Sequence, residues 1–185
     1  MDANLATAVA ALRAGGVIAY PTESVFGLGC DPANEAACAR VFALKARPLR
    51  QGVLLIGAEF AHIASYIDLG ATPAAAIARA EATWPGAQTW IFPRAKGVPA
   101  WIAGAHAGIA LRVTAHAPAA ALCRAFGGAL VSTSANRHGD PPARSAADVR
   151  AAWEDRLDAI LDGALGGLER PTPIRDAISG ANVRF

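Results

Sequence analysis

Apolar positions along the chain follow two rhythms. Leu5, Val9 and Leu12 recur at helical spacing and stop at Gly15-Gly16, which predicts an amphipathic helix at the start. "GVIAYPT" (16–22) leaves that glycine pair as a short apolar strand, and "ESVFGLGCDPAN" (23–34) reads as a loop. Asn34 suits the N-cap of a helix over about 35–45. Cys38, Val41 and Phe42 form the apolar stripe of that helix, and Lys45 falls on the same stripe. "GVLLIG" (52–57) reads as a buried strand, followed by helices over 58–67 and 73–84. Segments 88–93 and 108–114 read as strands, and 117–126 as a helix ended by Gly127-Gly128. "ALVSTSAN" (129–136) is a strand that runs into a polar corner. Ser145 opens a helix over 145–157, with Asp148 three positions on as a shortened capping box. Short strands are expected at 159–161 and in the tail.

Strands alternate with helices, and strands neighbour one another near 88–113. That predicts an α/β fold, a mixed sheet with helices packed on it, as a single domain over 1–185. A length of 185 residues suits one domain with its own core. No run reaches the roughly 18–20 apolar residues of a membrane span. Asp2 precedes Arg13, the wrong charge order for a signal peptide, so a cytoplasmic protein is expected. Cys30, Cys38 and Cys123 are odd in number and lack CxxC spacing, which argues against a zinc site or a disulfide framework. The net charge of +2 is too small to mark a nucleic-acid binder, although a local guanidinium-rich surface remains open.

Four segments carry candidate chemistry. Lys45 ends an apolar stripe, and an unpaired buried ammonium costs several kcal/mol. Pro48 disfavours helical geometry at Arg47, and an extended chain from Lys45 projects both cations to one side as an anion clamp. The alternative is that Lys45 snorkels past the helix end and meets the helix dipole. "STSAN" (132–136) places three hydroxyls and an amide at a strand exit, for phosphate or sugar oxygens or for an ST-turn of its own. "YPTESVFGLG" (20–29) offers Thr22 and Ser24 beside two glycines, without the pattern of a dinucleotide loop or a P-loop. Arg112 sits inside the apolar strand "IALRV" and needs an anion, either an internal carboxylate or a bound one. Ser132 and Ser134 lie outside any GxSxG elbow, and Cys30 has no histidine near it in sequence.

With "PTESVFGLG", "KARP", "LRV" and "STSAN" in this order, the chain resembles the YrdC/Sua5 family, short bacterial type, from Gly15 to about Asp176. The resemblance implies a twisted mixed α/β sheet around a basic concave cavity. It implies a nucleotidyltransferase that joins L-threonine, bicarbonate and ATP into threonylcarbamoyl-AMP and pyrophosphate, with Mg²⁺ beside the phosphates. A tRNA-modification transferase complex then carries the group to adenosine 37 of tRNA. By resemblance Lys45 and Arg47 are catalytic and, with Ser134 and Asn136, engage ATP; Thr22, Arg112 and Ser132 hold threonine. Two segments depart from the family pattern. "SANRHG" puts His138 where a serine is common, and "PTPIRD" replaces a more hydroxyl-rich stretch, which leaves Arg175 as a nucleotide contact to be tested. The rival function is a module for double-stranded RNA or tRNA, binding in the same cavity without catalysis. A hydrogenase-maturation carbamoyl-adenylate domain and a plain amino-acid-binding protein are two further rivals.

Overall fold

The structure, a computed structural model, describes residues 2–137 and 139–183. One eight-stranded mixed sheet organises it. The strands are β1 (Ile18–Pro21), β2 (Phe26–Gly29), β3 (Leu54–Gly57), β4 (Thr89–Pro93), β5 (Gly108–Val113), β6 (Leu130–Ser134), β7 (Ala159–Ile160) and β8 (Ile174–Asp176). They lie in the order β7-β1-β2-β6-β3-β5-β4-β8. The pairs β1–β7, β3–β5 and β4–β8 are parallel; the rest are antiparallel.

The helices are α1 (Ala3–Arg13), α2 (Glu35–Lys45), α3 (Phe60–Ile63), α4 (Ala74–Glu81), α5 (Ala100–Ala103), α6 (Ala117–Phe126) and α7 (Ala146–Trp153). Strand alternation decides which helices meet which face. Ile18 and Tyr20 of β1, Ile56 of β3 and Leu130 of β6 pack with α1 and α6. Leu55 and Val131, one residue on or back, belong to the opposite core with α2. Ala19, Phe26 and Leu28 pack under α7. Every residue of β1 and β2 is buried, as covered strands require.

The expected mixed sheet is present. Asn34 caps α2, its side chain accepting from Ala37 N at 3.0 Å, and Ser145 and Asp148 exchange hydrogen bonds as a capping box. Three expectations need correction. Residues 23–34 are not all loop: Phe26–Gly29 form β2, antiparallel to β1. Two glycines masked it, although Gly29 is what lets Tyr20 approach; a Cβ there would lie 2.6 Å from the Tyr20 ring. The 58–67 helix is a single turn, α3, followed by a 3-10 turn over Ala64–Tyr66. The chain beyond Lys45 is not extended, because Ala46 is left-handed at φ 50 and ψ 38.

β6 is the seam that positions the site. Leu130, Val131 and Ser132 pair with β3, whereas Thr133 and Ser134 pair with β2. The strand lies between β3 and β2, and the cavity opens beside its polar residues Ser132–Ser134.

Candidate functional site

Thr22, Ser24, Gly27, Arg112, Ser132 and Ser134 line a cavity of about 180 Å³ beside this seam. Leu54, Val25, Pro171 and Ile174 give it an apolar part. Thr22, Ser24, Arg112, Ser132 and Ser134, all singled out in the sequence, therefore meet in one small space. The Thr22 hydroxyl donates to Val25 O at 2.7 Å, which fixes the loop between β1 and β2. Leu54 and Ile174 also line an adjoining cleft of about 390 Å³ that carries Arg47 and His106.

Arg112 is 3% exposed. Its Nη1 donates to Thr172 Oγ1 at 2.7 Å and lies 3.6 Å from Glu23 Oε2. The anion that a mid-strand arginine requires is thus already present inside the fold. The arrangement is incomplete all the same: Arg112 Nε and Glu23 Oε2 are buried with no hydrogen-bond partner among the described residues. Unpaired buried polar atoms are uncommon and costly. Glu23 and Thr172, the partners of Arg112, carry no signal of that pairing in the sequence. The mid-strand arginine signals the need for an anion, but sequence alone does not say which carboxylate answers it.

Lys45 is 5% exposed, at the C-terminus of α2. Its Nζ donates to the carbonyls of Ser134 and Asn136 and to Asn136 Oδ1, the last at 3.0 Å. Ser134 Oγ also donates to Asn136 Oδ1, at 2.6 Å, and Asn136 Nδ2 donates to Asp140 O at 2.8 Å. The lysine therefore clamps the corner after β6. Burial, with Arg47 adding repulsion, pushes its pKa down to about 8. Asn136 also borders a separate hollow of about 570 Å³ under α7.

Ala46 turns Arg47 away from the line of Lys45. Arg47 N donates to Phe42 O and Ala46 N to Ala43 O, a Schellman ending that is ordinarily built on glycine. Arg47 is half-buried, and burial lowers its pKa. Its Nη2 reaches Gln51 O at 3.4 Å, and its Nε has no partner among the described residues. Arg175 stands apart, over the Trp90 ring and donating to Asn182 Oδ1. His138 lies outside the described residues. Cys30 is fully buried with its sulfur 3.7 Å from that of Cys38; the shared contact and burial push its pKa up, against a nucleophilic role. Among the described residues no helix is long and apolar enough to cross a membrane.

Known proteins share this framework. The chain is 56% identical to a threonylcarbamoyl-AMP synthase of Halorhodospira halophila, over 96% of this chain and 92% of that one. It is 52% identical to a threonylcarbamoyl-AMP synthase of Stenotrophomonas maltophilia, over 99% and 98%. P. abyssi Sua5, solved in complex with L-threonine, superposes with a TM-score of 0.86 at 29% identity. That match covers 93% of this chain and 50% of the Sua5 chain. E. coli YciO superposes with a TM-score of 0.82 at 27% identity, over 97% of this chain and 86% of that one. The profile of the Sua5/YciO/YrdC family, described as telomere recombination, matches residues 10–184, and the chain belongs to that family.

Proposed function

We propose that the chain is a threonylcarbamoyl-AMP synthase, which makes threonylcarbamoyl-AMP and pyrophosphate from L-threonine, bicarbonate and ATP. The observation that carries the reading is the meeting of Arg112 with the Thr22, Ser132 and Ser134 hydroxyls in one cavity of about 180 Å³. That volume is below the roughly 300 Å³ at which drug-sized ligand pockets begin, and it suits a small amino acid. In this reading Arg112 holds the threonine carboxylate, and Thr22 and Ser132 orient the amino acid. Val25, Leu54 and Ile174 offer apolar contact to its methyl group.

ATP is assigned to Arg47, Ser134, Asn136 and the corner that Lys45 clamps. The threonine amine, as free base, attacks the carbon of bicarbonate with loss of water, or of carbon dioxide with loss of a proton from nitrogen, to form a carbamate. A carbamate oxygen attacks the α-phosphorus, and pyrophosphate leaves in line. No protein nucleophile is needed. Positioning and charge neutralisation are the protein's contribution, through Arg47 and Lys45. Mg²⁺ enters with the nucleotide as part of the substrate: Mg²⁺ in such sites rests on phosphates and one or two carboxylates rather than on a protein cage. Among the described residues no three His, Cys, Asp or Glu side chains cluster as a cage.

The product is an activated acyl-adenylate, so its place is upstream of a transferase that delivers the threonylcarbamoyl group to tRNA. Arg40, Arg137 and Arg156 line a surface hollow close to the Lys45 corner, and this favours direct RNA contact as a second property. The deciding experiment is mass spectrometry of products from ATP, bicarbonate and threonine. Threonylcarbamoyl-AMP is the expected product. RNA binding that weakens steeply with salt, with no such product, would replace the enzyme by an RNA-binding module.

A further inference from the structure

Glu23 is a buried charge that the proposed chemistry leaves without a task. Its chain neighbours Thr22 and Ser24 form part of the cavity wall, with Arg112 beside them. Glu23 itself points behind that wall, and its side chain is 9% exposed. Its Oε1 accepts from Thr114 Oγ1 at 2.7 Å. Its Oε2 faces Arg112 Nη1 at 3.6 Å and is otherwise unpaired among the described residues. The segment before β8 covers it. Gly166 N donates to Thr22 O at 3.0 Å and Leu168 N to Glu23 O at 2.9 Å. A Cβ on Gly166 would stand 2.8 Å from the Glu23 Cα, so the cover is tight. His116 and Tyr20 are the other titratable neighbours; burial lowers the pKa of the His116 imidazole and raises that of the Tyr20 phenol, and both shifts favour the neutral form. Arg112 and Glu23 therefore sum to zero behind a small cavity.

We propose that Glu23 determines specificity: by cancelling the charge of Arg112 from behind the cavity wall, it makes the site take a zwitterionic α-amino acid and refuse simple carboxylates. This rests on the reading of Arg112 as the carboxylate anchor. An amino acid brings a carboxylate to Arg112 and an ammonium beside it, so the filled site stays neutral. A carboxylate with no amine adds an uncompensated negative charge near a buried one, where the interaction is poorly screened. Selection acts on entry, before the amine loses its proton to react. The same balance disfavours phosphate oxygens at Arg112 and keeps the polyanionic nucleotide on the side of Arg47 and Lys45.

The test compares threonine with 3-hydroxybutanoate, which is threonine without its amine. Calorimetric titration measures both on the wild-type chain and on Glu23→Gln. Glutamine keeps an oxygen for the Thr114 hydroxyl and nearly the same volume, and a thermal melt checks folding. The wild-type chain is expected to prefer threonine by at least about 100-fold, and Glu23→Gln to narrow that ratio by at least about tenfold through tighter binding of 3-hydroxybutanoate. A folded variant with an unchanged ratio overturns the proposal. If the variant does not fold, the wild-type chain decides alone: equal affinity for the two ligands overturns it. A wild-type chain that binds 3-hydroxybutanoate but not threonine overturns the threonine-site reading itself, a different failure from an unchanged ratio.

Discussion

Lys45 and Arg112 are both buried cations, and they stand in opposite conditions. Lys45 donates to three oxygens of the Ser134–Asn136 corner. Arg112 donates once, to Thr172, stands loosely against Glu23, and leaves Nε unpaired. An ammonium has three donors and a guanidinium five. The lysine is thus used up by its own fold, and the arginine is not. The difference separates two jobs. One cation spends its donors on the shape of a loop that the proposed reading places at the nucleotide; the other keeps a donor unpaired beside the cavity where that reading places the threonine carboxylate.

The comparison is tested most severely at Arg112. Removing it alone strands Glu23, and breaking a buried pair that way costs about 3–5 kcal/mol. The useful variant is therefore Arg112→Ala combined with Glu23→Gln. Threonine affinity is expected to fall by about 100-fold, the usual scale for truncating a buried hydrogen-bonded charge contact. Nucleotide affinity should stay the same. Calorimetry with each ligand reads both numbers, and undiminished threonine binding would remove Arg112 from the site.

Lys45→Met keeps the apolar stem and deletes the ammonium. Part-buried oxygens of the corner lose their donor, so stability should fall by about 1–3 kcal/mol. If the ammonium also acts on charge that develops as pyrophosphate leaves, kcat and kcat/KM fall together by about 100-fold. A lower melting temperature with normal turnover would leave Lys45 as a clamp alone. The pH dependence is a second reading of the same group. With its pKa pushed down to about 8, Lys45 is charged below that pH and neutral above it. At saturating threonine, on top of the rise with pH that the free-base amine imposes, kcat/KM for ATP should therefore lose the contribution of Lys45 above about pH 8 and decline there. Lys45→Arg should remove that decline, since a guanidinium stays charged throughout.

A third effect, of similar or lesser size, concerns the substrate's methyl group. In the proposed reading, serine in place of threonine leaves a gap beside Val25, Leu54 and Ile174, which line the cavity. One missing methyl in an apolar niche lowers kcat/KM by roughly 10- to 200-fold. Competition between the two amino acids for product, read by mass spectrometry, gives the ratio directly. A ratio near one would mean that the apolar wall does not touch the side chain.

These differences were partly legible beforehand. The order of helices and strands followed from periodicity, because α1, α2 and α6 each end or begin on a strong signal such as Gly15, Asn34 or Gly127. β2 was hidden because its glycines also suit a loop, and only the packing of Tyr20 shows why Gly29 is there. The need of Arg112 for an anion was visible, but Glu23 lies 89 residues away in sequence, and only the fold brings the two together. The clamp of Lys45 on Asn136 joins α2 to the exit of β6 across a long stretch of sequence in the same way. Local pattern reports local structure; it does not report which distant groups share a burial site.

Ala46 gives the finest test, because it joins the saturated cation to Arg47, which is not saturated. Among the described residues it is the non-glycine residue with positive φ. The left-handed conformation costs a residue with a Cβ about 1–2 kcal/mol. Ala46→Gly removes that strain but loosens the unfolded chain, which takes back about 0.4–1 kcal/mol. The expected net gain is about 0.5 kcal/mol, or a melting temperature about 1–2 °C higher for a chain of this size. Turnover should move the other way, down about twofold, because glycine also lets Arg47 wander from its angle to Lys45. A calorimetric melt and a pyrophosphate-release assay on one preparation measure both. Higher stability with lower kcat would mark the strained alanine as the hinge that fixes Arg47. Higher stability with unchanged kcat would show that the Schellman hydrogen bonds alone hold the turn, and that Arg47 takes its place from Pro48 and Gln51 instead.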